Sequence, residues 1–165
     1  MKSFNLFLKV LVEPVIDIDT LIKNMERVYG AAGFRFELSV EDLNLPDYNT
    51  VRVGDCDNGP LTAMQEELFE KRNGASPTDI VVYFVHSTSP VFSGCALHPP
   101  DRPGAVVVRD ASRWTLAHEV GHVLGLDHVD EPDRLMTRFT GNLPDPPAPL
   151  SPDEIETIAR SDFVF

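Results

Sequence analysis

Three of the five histidines in the chain lie within eleven residues, in the segment HEVGHVLGLDH that runs from His118 to His128. Residues four positions apart lie on one face of an α-helix, so His118 and His122 would present their imidazoles to a single point. Such a pair is a common ligand pair for zinc. Glu119 directly follows the first histidine, where it could take a proton from a zinc-bound water. The segment therefore predicts a hydrolytic zinc site.

A catalytic zinc ion usually takes three protein ligands and leaves one position open. His128 lies too far beyond His122 to share the face of one continuous helix. Gly125 lies between them, and glycine readily adopts the left-handed conformation that ends a helix and turns the chain. We therefore predict one catalytic zinc ion with His128 as its third ligand. The alternative is an ordinary helix with solvated histidines, which the five residue types at fixed offsets disfavour.

The full spacing H-E-x-x-H-x-x-G-x-x-H resembles the zinc signature of the metzincin metallopeptidases, and RLMT downstream supplies Met136 where that clan has its Met-turn. The resemblance implies an endopeptidase in which a zinc-bound water, activated by a glutamate general base, hydrolyses a peptide bond. It implies these roles for the residues: zinc ligands His118, His122 and His128, general base Glu119, supporting glycine Gly125, and Met136 as an apolar floor beneath the metal.

The same resemblance implies an α/β (α+β) fold in a single catalytic domain, residues 1–165. An upper part, about residues 1–128, would hold a twisted mixed sheet with two packed helices and the zinc-binding helix at the cleft floor. A lower part, about residues 129–165, would carry one C-terminal helix. Arg138 replaces the tyrosine ligand of astacin-like and serralysin-like branches, and Val129 is not the residue expected of a matrixin or adamalysin. No branch is therefore assigned.

Hydrophobic periodicity independently indicates that the fold begins as α/β. Apolar residues alternate from Phe4 to Val10 and again from Phe34 to Val40, with an amphipathic helix between them that Asp17 or Asp19 would cap. A strand–helix–strand unit normally places two parallel strands in one sheet. Further predicted elements are a helix over about Leu61–Arg72, a buried central strand over Asp79–Val85, a strand over Ala105–Val108, a zinc helix capped by Ser112, and a helix with Ser151, Pro152 and Glu154 in a capping box.

The expected partner is a peptide or protein substrate bound as an extended strand. In the architecture that the resemblance implies, an edge strand within Val91–Leu97 would run antiparallel to it and bind it through main-chain hydrogen bonds. Residues near Thr137 to Gly141 would wall the pocket for the side chain after the scissile bond. Arg138 there suggests tolerance of acidic side chains, although a solvated loop arginine explains it too. A monomer is expected, and a protein inhibitor is a further possible partner.

Charge and hydropathy exclude two classes of partner. The net charge is −12 and no basic stripe is present, so nucleic acid and anionic membranes are not expected.

The opening MKSFNLFLKVLVEP is interrupted by Lys9 and lacks a cleavage site, so it predicts a strand and not a signal peptide. No apolar run reaches membrane-spanning length. A cytoplasmic protein, or one exported without a leader, is therefore expected.

The remaining polar residues leave alternatives open. Cys56 and Cys95 could form a disulfide or remain two inert thiols, and Cys56 within GDCDNG could act as a cysteine switch. His86 and His98 could bind a second zinc ion, although their acidic partners are missing. Two other functions also remain: a zinc-containing peptide- or protein-binding module without hydrolytic activity, and a zinc hydrolase that acts on a non-peptide amide.

Overall fold

The computed structural model describes all 165 residues and contains seven strands and four α-helices. Short turns of π-helix and 3-10 helix connect some of these elements. None of the helices has the length and apolarity needed to cross a membrane. In chain order the elements are β1 (Lys2–Val10), α1 (Ile18–Met25), β2 (Phe34–Asp42), β3 (Thr50–Arg52), α2 (Ala63–Phe69), β4 (Ile80–Val85), β5 (Ser87–Ser89), β6 (Gly94–Cys95), β7 (Gly104–Val108), α3 (Thr115–Val123) and α4 (Pro152–Ala159).

A mixed five-stranded sheet forms the centre of the fold, with the strand order β2-β1-β4-β7-β6. The first four strands are parallel, and β6 pairs antiparallel with β7 at one edge. The predicted strand–helix–strand unit is present as β1, α1 and β2, with β1 and β2 parallel as expected. A separate two-stranded parallel sheet joins β3 to β5. The predicted mixed α/β class is therefore confirmed.

The central strand β4 is buried along its whole length, as its β-branched and aromatic sequence predicts. Its side chains alternate between two hydrophobic clusters. The larger cluster joins the sheet to α1 and α3, and the smaller one joins it to α2. Helix α3 thus lies on a sheet whose two faces are both covered. The alternating side chains are Ile80, Val82 and Phe84 in the larger cluster and Val81, Tyr83 and Val85 in the smaller one.

Two of the predicted helix caps are present and one prediction is wrong. Asp17 caps α1, and Ser151 caps α4 in a capping box with Glu154. Ser112 does not cap α3, because its carbonyl oxygen accepts the Thr115 N–H in a turn that precedes the helix, and the cap position falls at Trp114. The second helix is also shorter than predicted, since it is capped by Thr62 and ends at Phe69.

A glycine in β7 permits close packing at the centre of the sheet. A Cβ atom on Gly104 would lie 2.3 Å from the Val81 carbonyl oxygen and 3.1 Å from Phe69 Cε1. We expect Gly104→Ala to lower the free energy of unfolding by about 1–3 kcal/mol, the usual effect of overpacking a core. Chemical denaturation measures this change.

Gly30→Ala is the matched control, because nothing lies within 4 Å of a Cβ atom at that position. It should leave the free energy of unfolding nearly unchanged. Equal stability of the Gly104→Ala variant and the wild type would contradict the packing described here.

Candidate metal centre

The Nε2 atoms of three histidines converge at the floor of a cleft. His122 Nε2 lies 3.1 Å from His118 Nε2 and 3.0 Å from His128 Nε2. A tetrahedral zinc ion with Zn–N bonds of about 2.0 Å holds its nitrogen ligands roughly 3.3 Å apart. The three predicted ligands therefore come together with a separation that fits a zinc ion, and all three side chains line the cleft.

The end of α3 brings His128 back toward the other two histidines. Gly125 has a φ of +105°, the left-handed conformation predicted for it. The Leu126 N–H donates to the Gly121 carbonyl at 2.9 Å, and the Gly125 N–H donates to the His122 carbonyl at 3.0 Å. These two hydrogen bonds form a Schellman motif, which satisfies the last helical carbonyls while the chain turns. The predicted turn at Gly125 is therefore present.

Backbone carbonyls orient two of the imidazoles. His118 Nδ1 donates to the Leu135 carbonyl and His122 Nδ1 donates to the Leu126 carbonyl, both at 2.8 Å. Since a carbonyl only accepts, the ring proton lies on Nδ1 and the Nε2 lone pair is free to bind a metal ion.

Burial keeps the imidazoles in the form that binds metal. It lowers the pKa of His118 to about 4 and also lowers the pKa of His122 and of His128. Neutral imidazole is the ligand form of histidine. Three neutral imidazoles at this spacing fit zinc, and the predicted cofactor is consistent with this donor set.

Glu119 lies between the histidine cluster and the edge strand β6. Its Oε1 atom is 3.9 Å from His118 Nε2, and a Cβ atom added to Gly94 would meet Glu119 Cγ at 2.7 Å. The side chain is buried. Burial and, to a smaller extent, the negative charge of Asp57 together raise the pKa of Glu119 to about 8. The carboxyl group is thus held against a strand that has no side chain at the point of contact.

Met136 is fully buried against α3 and belongs to the larger hydrophobic cluster. Its sulfur would be 2.7 Å from a Cβ atom at Gly121, so the glycine permits this close approach. The Met136 carbonyl accepts the Val129 N–H at 3.0 Å, which ties it to the segment after His128. Its role as the Met-turn floor stays a prediction.

The cleft has a volume of about 660 Å³, and its two walls come from different parts of the chain. One wall includes Phe92, Ser93 and Gly94, at the edge strand β6 that lies within the predicted range Val91–Leu97. The opposite wall includes residues 138–142, close to the predicted range Thr137–Gly141. An exposed aromatic side chain lies on each wall: Phe92 beside β6 and Phe139 on the opposite wall.

The sequence did not identify Asp57 as part of the site. Asp57 Oδ1 lies 3.6 Å from His128 Nδ1, and Asp57 Oδ2 accepts a hydrogen bond of 2.9 Å from Arg138. Arg138 is therefore paired and not simply a solvated loop residue. The preceding residue, Cys56, forms a disulfide with Cys95 of β6. This bond decides between the alternatives left open for the cysteines and leaves Cys56 no thiol for a cysteine switch.

The other two histidines lie outside the cluster. The His98 ring is partly buried, with Nδ1 2.7 Å from the Pro99 carbonyl oxygen and an edge contact to Phe163. His86 is exposed, with Nδ1 3.3 Å from Ser87 Oγ. Neither belongs to the group of three side chains that lie close enough together to hold one metal ion.

Comparisons with known proteins agree with this geometry. The Matrixin family model matches residues 105–161, the part of the chain with α3, the three histidines and α4. No curated protein sequence matches the chain. Several solved structures do match it along nearly its whole length.

Metalloproteinase-II from Bacteroides fragilis matches with a TM-score of 0.68 and 19% identity, over 94% of this chain and 52% of that one. Archaemetzincin from Methanopyrus kandleri matches with a TM-score of 0.62 and 17% identity, over 96% and 94% of the two chains. A zinc-dependent peptidase from Methanocorpusculum labreanum matches with a TM-score of 0.58 and 13% identity, over 93% and 99%. The chain therefore spans about half the length of the Bacteroides protein and nearly all of the two archaeal ones.

The comparisons support the resemblance to metzincin-clan zinc metallopeptidases. The likeness to the solved structures shows a metallopeptidase-like fold, and the Matrixin match covers the segment with the histidines. They do not assign a branch within the clan.

The positive φ of Gly125 allows a test of how far the histidine geometry depends on the helix end. Gly125→Ala forces a Cβ-bearing residue into the left-handed region, at a cost of about 1–2 kcal/mol, and places its Cβ atom 3.3 Å from Thr157 Cγ2. Since relief of this strain would move His128, we expect zinc affinity to fall roughly tenfold, as for changes that disturb ligand orientation. Competition with a chromogenic chelator measures it.

Gly33→Ala is the control, because Gly33 also has a positive φ, of +90°, with open space around it. That variant should lose comparable stability and keep wild-type zinc affinity. Equal zinc affinities of the two variants would contradict a role for Gly125 in placing His128.

Proposed function

We propose that this protein is a zinc metalloendopeptidase with Glu119 as its general base. The observation that supports this most directly is the convergence of three neutral imidazoles beside a buried glutamate in an open cleft. The Matrixin match and the metallopeptidase-like fold support the same reaction class. A binding module would have no need for a carboxyl group at this point.

His118, His122 and His128 would hold the ion through their Nε2 atoms. When bound, a zinc ion supplies a Lewis acid that polarises the scissile carbonyl and acidifies water, and a positive charge that favours the ionised form of Glu119. The hydrogen bonds from Nδ1 of His118 and His122 to backbone carbonyls keep those two rings in the tautomer and orientation that this role requires.

Glu119 is placed to move the protons of hydrolysis. In its ionised form the carboxylate accepts a proton from the attacking water, and the resulting carboxylic acid can then donate that proton to the leaving amine nitrogen. Burial restricts the side chain to one side of the histidine cluster, against Gly94. This fixed position lowers the entropic cost of bringing base, water and carbonyl together.

The substrate in this proposal is an extended peptide segment of a protein. β6 lies at the edge of the sheet and pairs with β7 on one side, so its other side is available for main-chain hydrogen bonds to a peptide. Gly94 belongs to β6 and contacts Glu119, which would bring a peptide bound along this strand next to the base. The wall formed by residues 138–142 would enclose one substrate side chain.

The decisive experiment compares zinc content and proteolysis in wild-type protein and Glu119→Gln. We expect both proteins to contain zinc and the variant to cleave a labelled, unfolded protein about 10²- to 10⁴-fold more slowly, which is the usual contribution of a general base. Removal of zinc by a chelator should abolish wild-type cleavage, and added zinc should restore it. Fluorescence release and elemental analysis measure the two quantities.

His118→Ala is the companion variant, and it should lose both zinc and activity because it removes a ligand. Wild-type cleavage rates in Glu119→Gln would contradict the proposed base. A zinc-loaded wild type that cleaves no unfolded protein would favour the binding module, and cleavage of non-peptide amides alone would favour the third alternative.

The contact between Gly94 and Glu119 yields a separate test of where the base must lie. A Cβ atom at Gly94 would meet Glu119 Cγ at 2.7 Å and Cδ at 3.0 Å, so Gly94→Ala must displace the carboxyl group. Misplacement by about 1 Å can lower a rate by about 10², and we expect a loss of kcat/KM of that order. Steady-state kinetics on a quenched peptide measures it.

Zinc content should stay at the wild-type level in Gly94→Ala, since no ligand is changed. Gly30→Ala, at an open position, should keep full activity and serves as the control. Unchanged kcat/KM in Gly94→Ala would show that the position of Glu119 seen here is not the one that matters for the reaction.

A further inference from the structure

We propose that Asp57 is a positioning residue for His128 and that the Cys56–Cys95 disulfide holds it in place. This inference rests on the proposed function, because it concerns the ligands of the same zinc site. It gives the loop between β3 and α2 a role in that site. It also gives the disulfide a role in zinc binding.

His128 differs from the other two ligands in what orients its ring. His118 and His122 each donate from Nδ1 to a carbonyl oxygen at 2.8 Å. His128 lies beyond the end of α3, and its Nδ1 faces Asp57 Oδ1 at 3.6 Å. A movement of roughly 0.5 Å brings that pair into hydrogen-bond range. Asp57 therefore faces the ring nitrogen that donates to a carbonyl in the other two histidines, and carboxylates commonly accept from this nitrogen around metal sites.

The second oxygen of the same carboxylate is fixed from the opposite wall of the cleft. Asp57 Oδ2 accepts a hydrogen bond of 2.9 Å from Arg138 Nη1, and the Asp57 backbone N–H donates to Asp55 Oδ1 at 3.0 Å. One carboxylate oxygen is thus bonded to Arg138, and the other faces His128.

The disulfide supplies the constraint that these polar contacts lack. Asp57 and Arg138 are about half exposed, and exposed ion pairs hold flexible segments only weakly. Cys56, the neighbour of Asp57, is bonded to Cys95, which is buried in β6. The tether anchors the loop to the sheet beside Gly94 and Glu119. It reduces the conformational freedom that would otherwise carry Asp57 away from His128.

The test measures the zinc dissociation constant by chelator competition in Asp57→Ala, Asp57→Asn and wild type. We expect Asp57→Ala to raise it by about 10- to 100-fold, the range for loss of a group that orients a metal ligand. The dissociation constant of Asp57→Asn should lie between those of the wild type and Asp57→Ala, because the amide oxygen can still accept a hydrogen bond from His128 Nδ1. The melting temperature of metal-free Asp57→Ala should stay near that of the metal-free wild type. If Asp57 only stabilised the fold, this temperature would fall.

Asp47→Ala is the control for net charge, since Asp47 is exposed in the turn Pro46–Tyr48 and does not line the cleft. It should leave the zinc dissociation constant within about twofold, because exposed distant charges are screened. A second arm uses the double variant Cys56→Ala/Cys95→Ala, at a temperature where circular dichroism shows it folded. It should also weaken zinc binding, and adding Asp57→Ala to it should have a smaller effect than in wild type.

The outcomes separate this inference from the proposed function. Tight zinc binding by the wild type, with Asp57→Ala within twofold of it, overturns the role of Asp57. Full additivity of the disulfide and Asp57 variants overturns the role of the tether. Failure of the wild type to bind zinc contradicts the proposed function itself. None of these readings depends on activity.

Discussion

The site depends on one backbone constraint, the left-handed residue that ends α3. A continuous helix could present His118 and His122 together, but it would carry His128 away from them. The Schellman hydrogen bonds at Gly125, the residue after the C-cap Leu124, end the helix and return the chain toward its own last turn. The geometry of the third imidazole therefore follows from the one residue type that adopts this conformation without strain.

The three imidazoles are held by parts of the chain that are distant in sequence. The Leu135 carbonyl accepts from His118, the Leu126 carbonyl at the end of α3 accepts from His122, and the loop with Asp57 faces His128. Helix α3 itself is fixed by the larger hydrophobic cluster, where it packs on β7 and α1. Packing and backbone hydrogen bonds from these separate segments therefore set the geometry of the site. As a result, the imidazoles need little rearrangement to bind an ion.

Local sequence patterns predicted those features whose causes are local. The spacing of the histidines, the turn at Gly125 and the capping box at Ser151 depend on neighbouring residues, and all three are present. Asp57 and the disulfide depend on which loops the fold brings together, and periodicity carries no such information. The wrong cap prediction at Ser112 has the same cause: its hydroxyl contacts Thr140, in the wall formed by residues 138–142, and α3 begins later than the sequence suggests.

The placement of Glu119 favours a site built for a cation and for hydrolysis. Burial alone disfavours the ionised carboxyl group, and the nearby carboxylate of Asp57 disfavours it further, so both effects raise its pKa. The neighbouring imidazoles are neutral and offer no compensating charge. A buried carboxylate with no cationic partner lowers the stability of the folded protein. A zinc ion held by the three histidines would offset that penalty and favour the ionised form that the proposed general base requires.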